Sequence, residues 1–132
     1  MKTKTINQEV KVNASPHEVY EILMNQEKHS GLIDSDACID PKVGGRFKIY
    51  NGYIEGKNIE LVKDKKIVQD WKGDEDCWPE DHYSRITILL EEISEGTRLV
   101  FTQEKMPEEC YDNFYDGWFD NYWKPLQDMF KK

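Results

Sequence analysis

Apolar residues follow their most regular spacing at the carboxyl end of the chain, from Glu108 to Lys132. Aromatic and aliphatic side chains recur there at steps of three and four, while amide, acidic and lysine side chains fall on the opposite side. This spacing is the period of an α-helix. Because the apolar arc covers about half of the circumference, it is wider than the stripe of an ordinary surface helix. The segment is therefore predicted to be a long helix held in a concave surface.

Two residues interrupt this helical pattern. Pro125 removes one backbone donor and crowds the carbonyl of Asn121, four residues earlier, so we predict a kink or a break near Asn121. Gly117 costs about 1 kcal/mol relative to alanine inside a helix. Its presence indicates either a close approach by a strand or loop, or a tolerated substitution.

The amino-terminal part of the chain predicts one strand and two short helices. From Thr3 to Val12, isoleucine and valine alternate imperfectly with charged residues, which is typical of a strand. Ser15, Pro16 and Glu18 then form a helix start, with Ser15 as the N-cap and Glu18 closing a capping box. A second short helix or turn is predicted from Asn25 to Ile33.

From Gly44 onward the apolar period changes to two, and turn-forming pairs recur at hairpin spacing. The predicted strands are Arg46 to Tyr50, Tyr53 to Val62, Lys66 to Trp71, Tyr83 to Glu92 and Thr97 to Glu104. The best hairpin signal is Asn51-Gly52, and Gly56 inside a strand predicts a bulge or a sharp bend. Short connections predict an antiparallel meander.

The predicted fold is therefore α+β. A curved antiparallel sheet of about six strands wraps round the long C-terminal helix, and two short helices follow the first strand.

Composition narrows the possible classes of protein. A chain of 132 residues predicts one domain, residues 1–132, without a need for disulfides or a structural metal. Eighteen lysines and arginines against 26 acidic residues leave a net charge of -8, which argues against nucleic acid or an anionic membrane as a partner. There is neither a membrane-spanning apolar run nor a signal-peptide core, so a cytoplasmic protein is expected. We expect a monomer.

The three cysteines, Cys38, Cys77 and Cys110, are widely spaced and contain no Cys-x-x-Cys pair. This pattern favours reduced thiols, and a disulfide framework is not expected.

An ordered set of motifs resembles the carboxy-terminal domain of the activator of the heat-shock protein 90 ATPase, within the START-like, SRPBCC or helix-grip superfamily. The matching residues are Ser15-Pro16-x-Glu18, Gly44-Gly45-Arg46-Phe47, the hairpin from Leu61-Val62 to Ile67-Val68 with Trp71, Trp78-Pro79-Glu80 with His82, Gly96-Thr97-x-Leu99, and Gly117-Trp118 with Tyr122. The resemblance implies a stand-alone member that lacks the separate amino-terminal domain of the full-length eukaryotic activators. It also implies an apolar cavity between helix and sheet, which is common in that superfamily.

Aromatic side chains are the candidates for lining such a cavity. They are Phe47, Trp71, Trp78, Tyr115, Trp118, Phe119 and Tyr122. Plain core packing is the alternative, at roughly even odds for each residue. Trp78 lies in an acidic loop, and an exposed binding anchor or cavity lid is less expected there than a side chain folded over the sheet edge.

The polar candidates are Arg46, Arg85 and Glu104, because a charge pointing into an apolar pocket would have a perturbed pKa. The alternative, a solvent-facing side chain, is several-fold more common for any one of them.

Standard catalytic and metal-binding signatures are missing from the sequence. It contains no Gly-x-Ser-x-Gly, phosphate loop or His-Glu-x-x-His, so no catalytic residue is predicted. The acidic loop lacks EF-hand spacing, and Cys77, His82 and Cys110 match no zinc pattern. We therefore expect no metal and no cofactor. His17 and His29 are predicted to be surface residues of helices.

Three functions are compatible with these observations. The first is a non-enzymatic domain that binds a small hydrophobic molecule in the cavity. The second is a protein-interaction module of co-chaperone type that acts on a heat-shock protein 90-type chaperone. The third is a small enzyme acting within the cavity, for which fold-level analogy alone is a poor warrant.

Overall fold

The computed structural model describes residues 2–131, and its centre is one curved antiparallel sheet of seven strands. The strands are β1 (Thr3–Val12), β2 (Ala37–Ile39), β3 (Arg46–Ile49), β4 (Ile54–Val62), β5 (Lys66–Gly73), β6 (Ser84–Ile93) and β7 (Gly96–Pro107). Their order across the sheet is β1-β7-β6-β5-β4-β3-β2. The predicted α+β helix-grip fold is confirmed, with one strand more than expected.

The additional strand is β2, which pairs with β3 at the edge of the sheet. It has only three residues, and its side chains are half-buried or exposed. Because three residues are too short a run to show a period of two, the sequence pattern did not reveal this strand.

Two short helices follow β1, as predicted: α1 (Pro16–Met24) and α2 (Gln26–Ile33). The amide of Glu18 donates to Ser15 Oγ over 3.1 Å, and the amide of Ser15 donates to Glu18 Oε1 over 3.2 Å. The two residues therefore form the expected capping box, which satisfies two donors that the helix itself leaves unpaired.

The C-terminal helix, as we name residues 108–129, consists of four consecutive segments. They are a 3₁₀ turn (Glu108–Cys110), α3 (Tyr111–Trp118), a π turn (Phe119–Trp123) and α4 (Lys124–Met129). The amide of Lys124 donates to the carbonyl of Phe119, five residues earlier. The irregularity predicted near Asn121 is thus a wide turn within a continuing helix, since Pro125 has no amide hydrogen to donate.

Indole groups fix this helix to the concave face of the sheet. The Trp118 ring lies 4.3 Å from the Phe101 ring and 4.8 Å from the Trp71 ring, between centroids. Trp123 Nε1 donates to Gln8 Oε1 on β1 over 2.7 Å. The widest part of the aromatic arc is therefore buried against β1, β5 and β7, as a helix in a concave surface requires.

Two glycines have different roles from those that the pattern suggested. A Cβ on Gly56 would overlap the carbonyl oxygen of Asp70 and the Phe47 ring, so this glycine permits close contact, while the register shift lies further on, between Asn58 and Glu60. A Cβ on Gly117 would come no closer than 3.7 Å, to Asn121 Nδ2, among the described residues. The close backbone approach predicted at Gly117 is therefore wrong.

Candidate functional site

A cavity of about 150 Å³ lies between the C-terminal helix and the strands β4 and β5. We call it the aromatic cavity. Its lining residues are Tyr50, Tyr53, Ile54, Trp71, Glu75, Asn113, Phe114, Gly117, Trp118, Asn121 and Tyr122. A space of this size accommodates a molecule such as benzene and is smaller than the pockets that hold drug-sized ligands.

The cavity has an apolar floor and a polar mouth. Ile54, Trp71 and Trp118 are buried and form the floor. Asn113 and Asn121 also line the cavity and are exposed, so polar side chains border it where it meets solvent. An apolar interior with a few polar groups is the usual construction of a small-molecule site.

The π turn shapes one wall of the cavity. It places Tyr122 and Trp123, which are consecutive, both in the buried interior. Asn121 in the same turn lines the cavity mouth. Wide turns of this kind are frequent at functional sites because they change which side chains a helix presents to its neighbours.

Tyr122 forms a buried hydrogen-bonded pair with His29 of α2. His29 Nδ1 lies 2.8 Å from the carbonyl oxygen of Leu23, which can only accept, so Nδ1 carries a hydrogen. In the neutral ring, Nε2 then accepts the hydrogen of the Tyr122 hydroxyl over 2.7 Å. Burial lowers the pKa of His29 and raises the pKa of Tyr122 well above its ordinary value, so both groups remain uncharged near neutral pH.

The prediction that His29 lies on the surface is wrong, whereas His17 is exposed as expected. The helix α2 has only a weak apolar stripe, and therefore its sequence does not show which side faces the core. The carbonyl of Leu23, in the last turn of α1, provides the hydrogen-bond partner that makes burial of His29 tolerable.

A buried amide network supports the floor of the cavity. Gln69 Oε1 accepts the indole hydrogen of Trp71, and Gln103 Oε1 accepts that of Trp118, each over 2.8 Å. Sequence reasoning missed both glutamines. They share strand parity with Trp71 and with Phe101, respectively, so period-two alternation could have indicated that they point inward.

The structure distributes the aromatic candidates among different environments. Trp71, Trp118 and Tyr122 line the cavity. Phe47 is buried behind it, with its ring centroid 5.7 Å from that of Trp71. Trp78 is buried beside Gly73 of β5, packs on Phe114 and donates to the carbonyl of His82, so it is not an exposed anchor.

Tyr115 and Phe119 lie outside the cavity, on a half-exposed face beside β1. Both were candidates for the cavity wall, but neither is among the residues that line the cavity. Phe114 and Trp118, four residues apart, face the concave surface, whereas Tyr115 and Phe119 are displaced by about one-quarter of a turn towards the β1 edge. The aromatic arc is wider than the surface that the sheet can cover.

The three polar candidates face solvent. Arg85 forms an ion pair with Asp70, with 2.9 Å between Nε and Oδ1, on the outer side of the sheet. Arg46 and Glu104 are also exposed. Each residue has strand parity opposite to the buried Phe47, Ile86 and Gln103, which explains its outward direction.

Several lining residues were not among the sequence candidates, most notably Tyr50, Tyr53 and Phe114. The two tyrosines lie on the connection between β3 and β4, where Tyr50, Asn51 and Gly52 all have positive φ. The Asn51-Gly52 pair predicted a left-handed turn there. Nothing in the pattern indicates, however, that this turn lines a cavity together with the middle of the C-terminal helix.

A disulfide joins Cys77, in the loop between β5 and β6, to Cys110 at the start of the C-terminal helix. Their Cα atoms are 5.6 Å apart, although 33 positions separate them in sequence. The expectation of unpaired thiols is therefore wrong for these two residues, while Cys38 is free and exposed. Spacing alone did not reveal the pair, because the loop approaches the helix only in the folded chain.

The disulfide lies beside the cavity mouth. Glu75 lines the cavity, accepts a hydrogen bond from the Tyr53 hydroxyl, and has a carboxylate oxygen 3.3 Å from Cys77 Sγ. The two sulfur atoms and this carboxylate form a compact group of metal-ligand types. Because the sulfurs are bonded to each other, they offer no thiolate to a metal.

Among residues 2–131, none of the helices has the length and hydrophobicity needed to cross a membrane.

Comparison with known proteins identifies relatives of this chain. The family model described as "Activator of Hsp90 ATPase homolog 1-like protein" matches residues 13–131. The activator of 90 kDa heat shock protein ATPase homolog of Dictyostelium discoideum is 29% identical over 120 residues, which cover 90% of this chain and 31% of that protein. The chain thus spans about one third of the length of this curated relative.

Solved structures support the same assignment. An HSP90 activator from Plasmodium falciparum matches with a TM-score of 0.84 and 25% identity, over 96% of this chain and 94% of that one. The Aha1 dimer from Colwellia psychrerythraea has a TM-score of 0.79 over 98% of this chain and 99% of its own, and its 19% identity supports the fold alone. The chain belongs to the family of Activator of Hsp90 ATPase homolog 1-like proteins.

Proposed function

We propose that this chain binds a small, largely apolar molecule in the aromatic cavity. The observation that carries the proposal is an aromatic floor, formed by Trp71 and Trp118, that remains open at a polar mouth. Apolar cavities of about 150 Å³ bind benzene-sized molecules, whereas a fully packed interior leaves no such space.

The test is a titration of the ¹⁵N-labelled chain with toluene, followed by amide chemical shifts. We expect saturable shifts confined to residues around the cavity. The variant Gly117→Leu should abolish them, because the added side chain has room at the cavity wall and fills the space. The matched control is Gly31→Leu, a helical glycine outside the cavity where an added Cβ also meets open space. Shifts elsewhere, or equal binding by Gly117→Leu, would contradict the proposal.

A second candidate function is interaction with an Hsp90-type chaperone. The observation that favours it is the match to an HSP90 activator from Plasmodium falciparum over nearly the full length of both chains. Family membership supports the same candidate. The curated relative, however, is about three times as long as this chain, so stimulation of the chaperone by this domain alone needs its own test.

That test measures ATP hydrolysis by a purified Hsp90-type chaperone with increasing amounts of the chain. Hydrolysis that resists an ATP-site inhibitor of the chaperone is subtracted as background. Stimulation that saturates would support the candidate. Unchanged hydrolysis at a large molar excess, together with no heat of binding in calorimetry, would reject it.

The expected cytoplasmic location and the monomeric state stay predictions. Sedimentation velocity measures the oligomeric state directly. The alternative outcome is a dimer, as in the solution structure of the Aha1 dimer from Colwellia psychrerythraea.

A further inference from the structure

A carboxylate oxygen lies against the disulfide between Cys77 and Cys110. One oxygen of Glu75 accepts the hydrogen of the Tyr53 hydroxyl, and the other lies 3.3 Å from Cys77 Sγ. A disulfide sulfur carries no hydrogen, so in this bonded state it cannot donate to the carboxylate. Opening the sulfur–sulfur bond changes the contact, because a thiol or thiolate can share a hydrogen or a metal ion with a carboxylate.

The three side chains have the spacing of metal ligands. The two cysteine sulfurs and a carboxylate oxygen of Glu75 all lie within 4.8 Å of one another. A tetrahedral zinc ion, with bonds of about 2.0 to 2.3 Å, places its ligand atoms about 3.3 to 3.8 Å apart. The contact between Glu75 and Cys77 already has this length. After reduction the sulfurs need to separate to the upper end of the range, which requires rotation of a cysteine side chain.

The surroundings favour a divalent cation. The hydrogen bond from Tyr53 orients the Glu75 carboxylate, as outer hydrogen bonds do for carboxylate ligands of metals. Cys110 lies at the start of the C-terminal helix, where the helix dipole favours a negative charge. Asp74 and Asp76, exposed in the same loop as Glu75, add to the attraction for cations. Two sulfur ligands select zinc over the hard cations Mg²⁺ and Ca²⁺.

We propose that reduction of the Cys77–Cys110 disulfide opens a site for a thiophilic divalent cation such as Zn²⁺, with Cys77, Cys110 and Glu75 as its ligands. A dithiol supplies the two electrons. Because Cys77 is half-buried and Cys110 is buried, one sulfur of the dithiol bonds to Cys77 and releases the Cys110 sulfur. The second sulfur of the dithiol then displaces Cys77, so the protein holds two thiols and the reductant becomes a disulfide.

Binding of Zn²⁺ replaces the two thiol protons, which pass to solvent. Three protein ligands leave the fourth tetrahedral position to water. The cation then connects the loop before β6 with the start of the C-terminal helix, as the disulfide does in the oxidised chain. The fold thus keeps this connection in both redox states, and the site is separate from the binding function of the aromatic cavity.

The test uses the full chain, reduced with dithiothreitol and then desalted under argon. Calorimetry measures the binding of Zn²⁺. Co²⁺ serves as a second probe, because bonds from sulfur to cobalt produce a charge-transfer absorption in the near ultraviolet. We expect the reduced chain to bind one cation and to unfold at a higher urea concentration with Zn²⁺ than without it. Both binding signals should be lost after reoxidation, and Mg²⁺ should give no heat of binding.

Two pairs of variants assign the ligands. Cys77→Ser should lose the binding of Zn²⁺, whereas Cys38→Ser removes a free, exposed thiol and should retain it. Glu75→Gln should weaken binding at least about tenfold, since even outer-shell partners of a metal contribute that much. Its matched control is Glu80→Gln, which neutralises an exposed carboxylate in the same loop and should bind like the wild-type chain.

Several outcomes would overturn the inference. They are no binding of Zn²⁺ by the reduced chain, equal binding by the reduced and reoxidised chains, and full binding by Cys77→Ser. Equal losses in Glu75→Gln and Glu80→Gln would assign the cation to the acidic loop as a whole. Circular dichroism checks that the reduced chain is folded, and a reduced chain that stays unfolded with Zn²⁺ would also overturn the inference. None of these results changes the test of the aromatic cavity with toluene.

Discussion

His29 shows how strongly the behaviour of a single residue depends on its surroundings. It is buried between the Leu23 carbonyl and the Tyr122 hydroxyl, and the neutral ring satisfies both partners. A second ring proton would break the bond from Tyr122, since both nitrogens would then be donors. Burial accordingly lowers the pKa of His29 below its ordinary value of 6.5.

This lowered pKa predicts that the chain loses stability in mild acid. Below about pH 6.5 the unfolded chain binds a proton at His29 that the folded chain resists, so protons favour unfolding. The stability is complete above that pH and decreases as the pH falls, by at most about 1.4 kcal/mol per pH unit. Urea unfolding at pH 7.5 and 5.5 measures the change.

The variant His29→Gln should show a smaller pH dependence and a lower stability at pH 7.5. His17→Gln removes an exposed histidine and should retain the loss in acid. An identical pH dependence in wild type and His29→Gln would show that other groups cause it.

At the scale of elements, the C-terminal helix contains a glycine, a poor helix former, beside the aromatic cavity. Gly117 is the next-to-last residue of α3, directly before Trp118 and the π turn, and it borders the cavity. Because an added Cβ would come no closer than 3.7 Å to the nearest described atom, alanine fits there without a clash. Packing therefore does not require a glycine at position 117. The glycine leaves open a part of the cavity that a larger side chain would occupy.

Gly117→Ala should therefore raise the free energy of unfolding by up to about 1 kcal/mol, the difference between the two residues in a helix. Gly56→Ala provides the contrast, because a Cβ there overlaps the carbonyl oxygen of Asp70. That variant should be strongly destabilised or fail to fold. Urea unfolding compares them, and a loss of stability in Gly117→Ala would contradict the prediction.

At the scale of the whole molecule, the disulfide connects the loop before β6 with the start of the C-terminal helix. It closes a loop across 33 positions, and the chain-entropy relation predicts a stabilisation of about 3 to 4 kcal/mol. Cys77→Ala should lose most of this stability, whereas Cys38→Ala removes a free, exposed thiol and should change it little. Unfolding in urea without reductant distinguishes the two variants. Equal stability would contradict the prediction.

Local patterns predicted most of the architecture. The alternation in β1, the capping box of Ser15 and Glu18, and the turn at Asn51-Gly52 each depend on neighbours in sequence, and each is found in the structure. The short edge strand β2 was missed, because three residues are too few to carry a periodic signal.

The candidate site could be predicted only in part. Trp71, Trp118 and Tyr122 follow from the helical and strand periods, whereas Tyr50 and Tyr53 lie on a connection that has no period. Tyr115 and Phe119 belong to the same aromatic arc as Trp118, but which part of the arc is covered depends on where the sheet edge lies.

By itself, the sequence determined the order of the elements and the inward face of most of them, because periodicity, capping and turn chemistry act over a few residues. The helix-grip family was indicated separately, by the resemblance of an ordered set of motifs. The tertiary structure alone decided which atoms from distant segments meet. The Cys77–Cys110 bond and the pair of His29 with Tyr122 join residues far apart in the chain, and the aromatic cavity is lined by both Tyr50 and Trp118. Such contacts depend on how helix and sheet pack, and packing couples every element of the molecule at once.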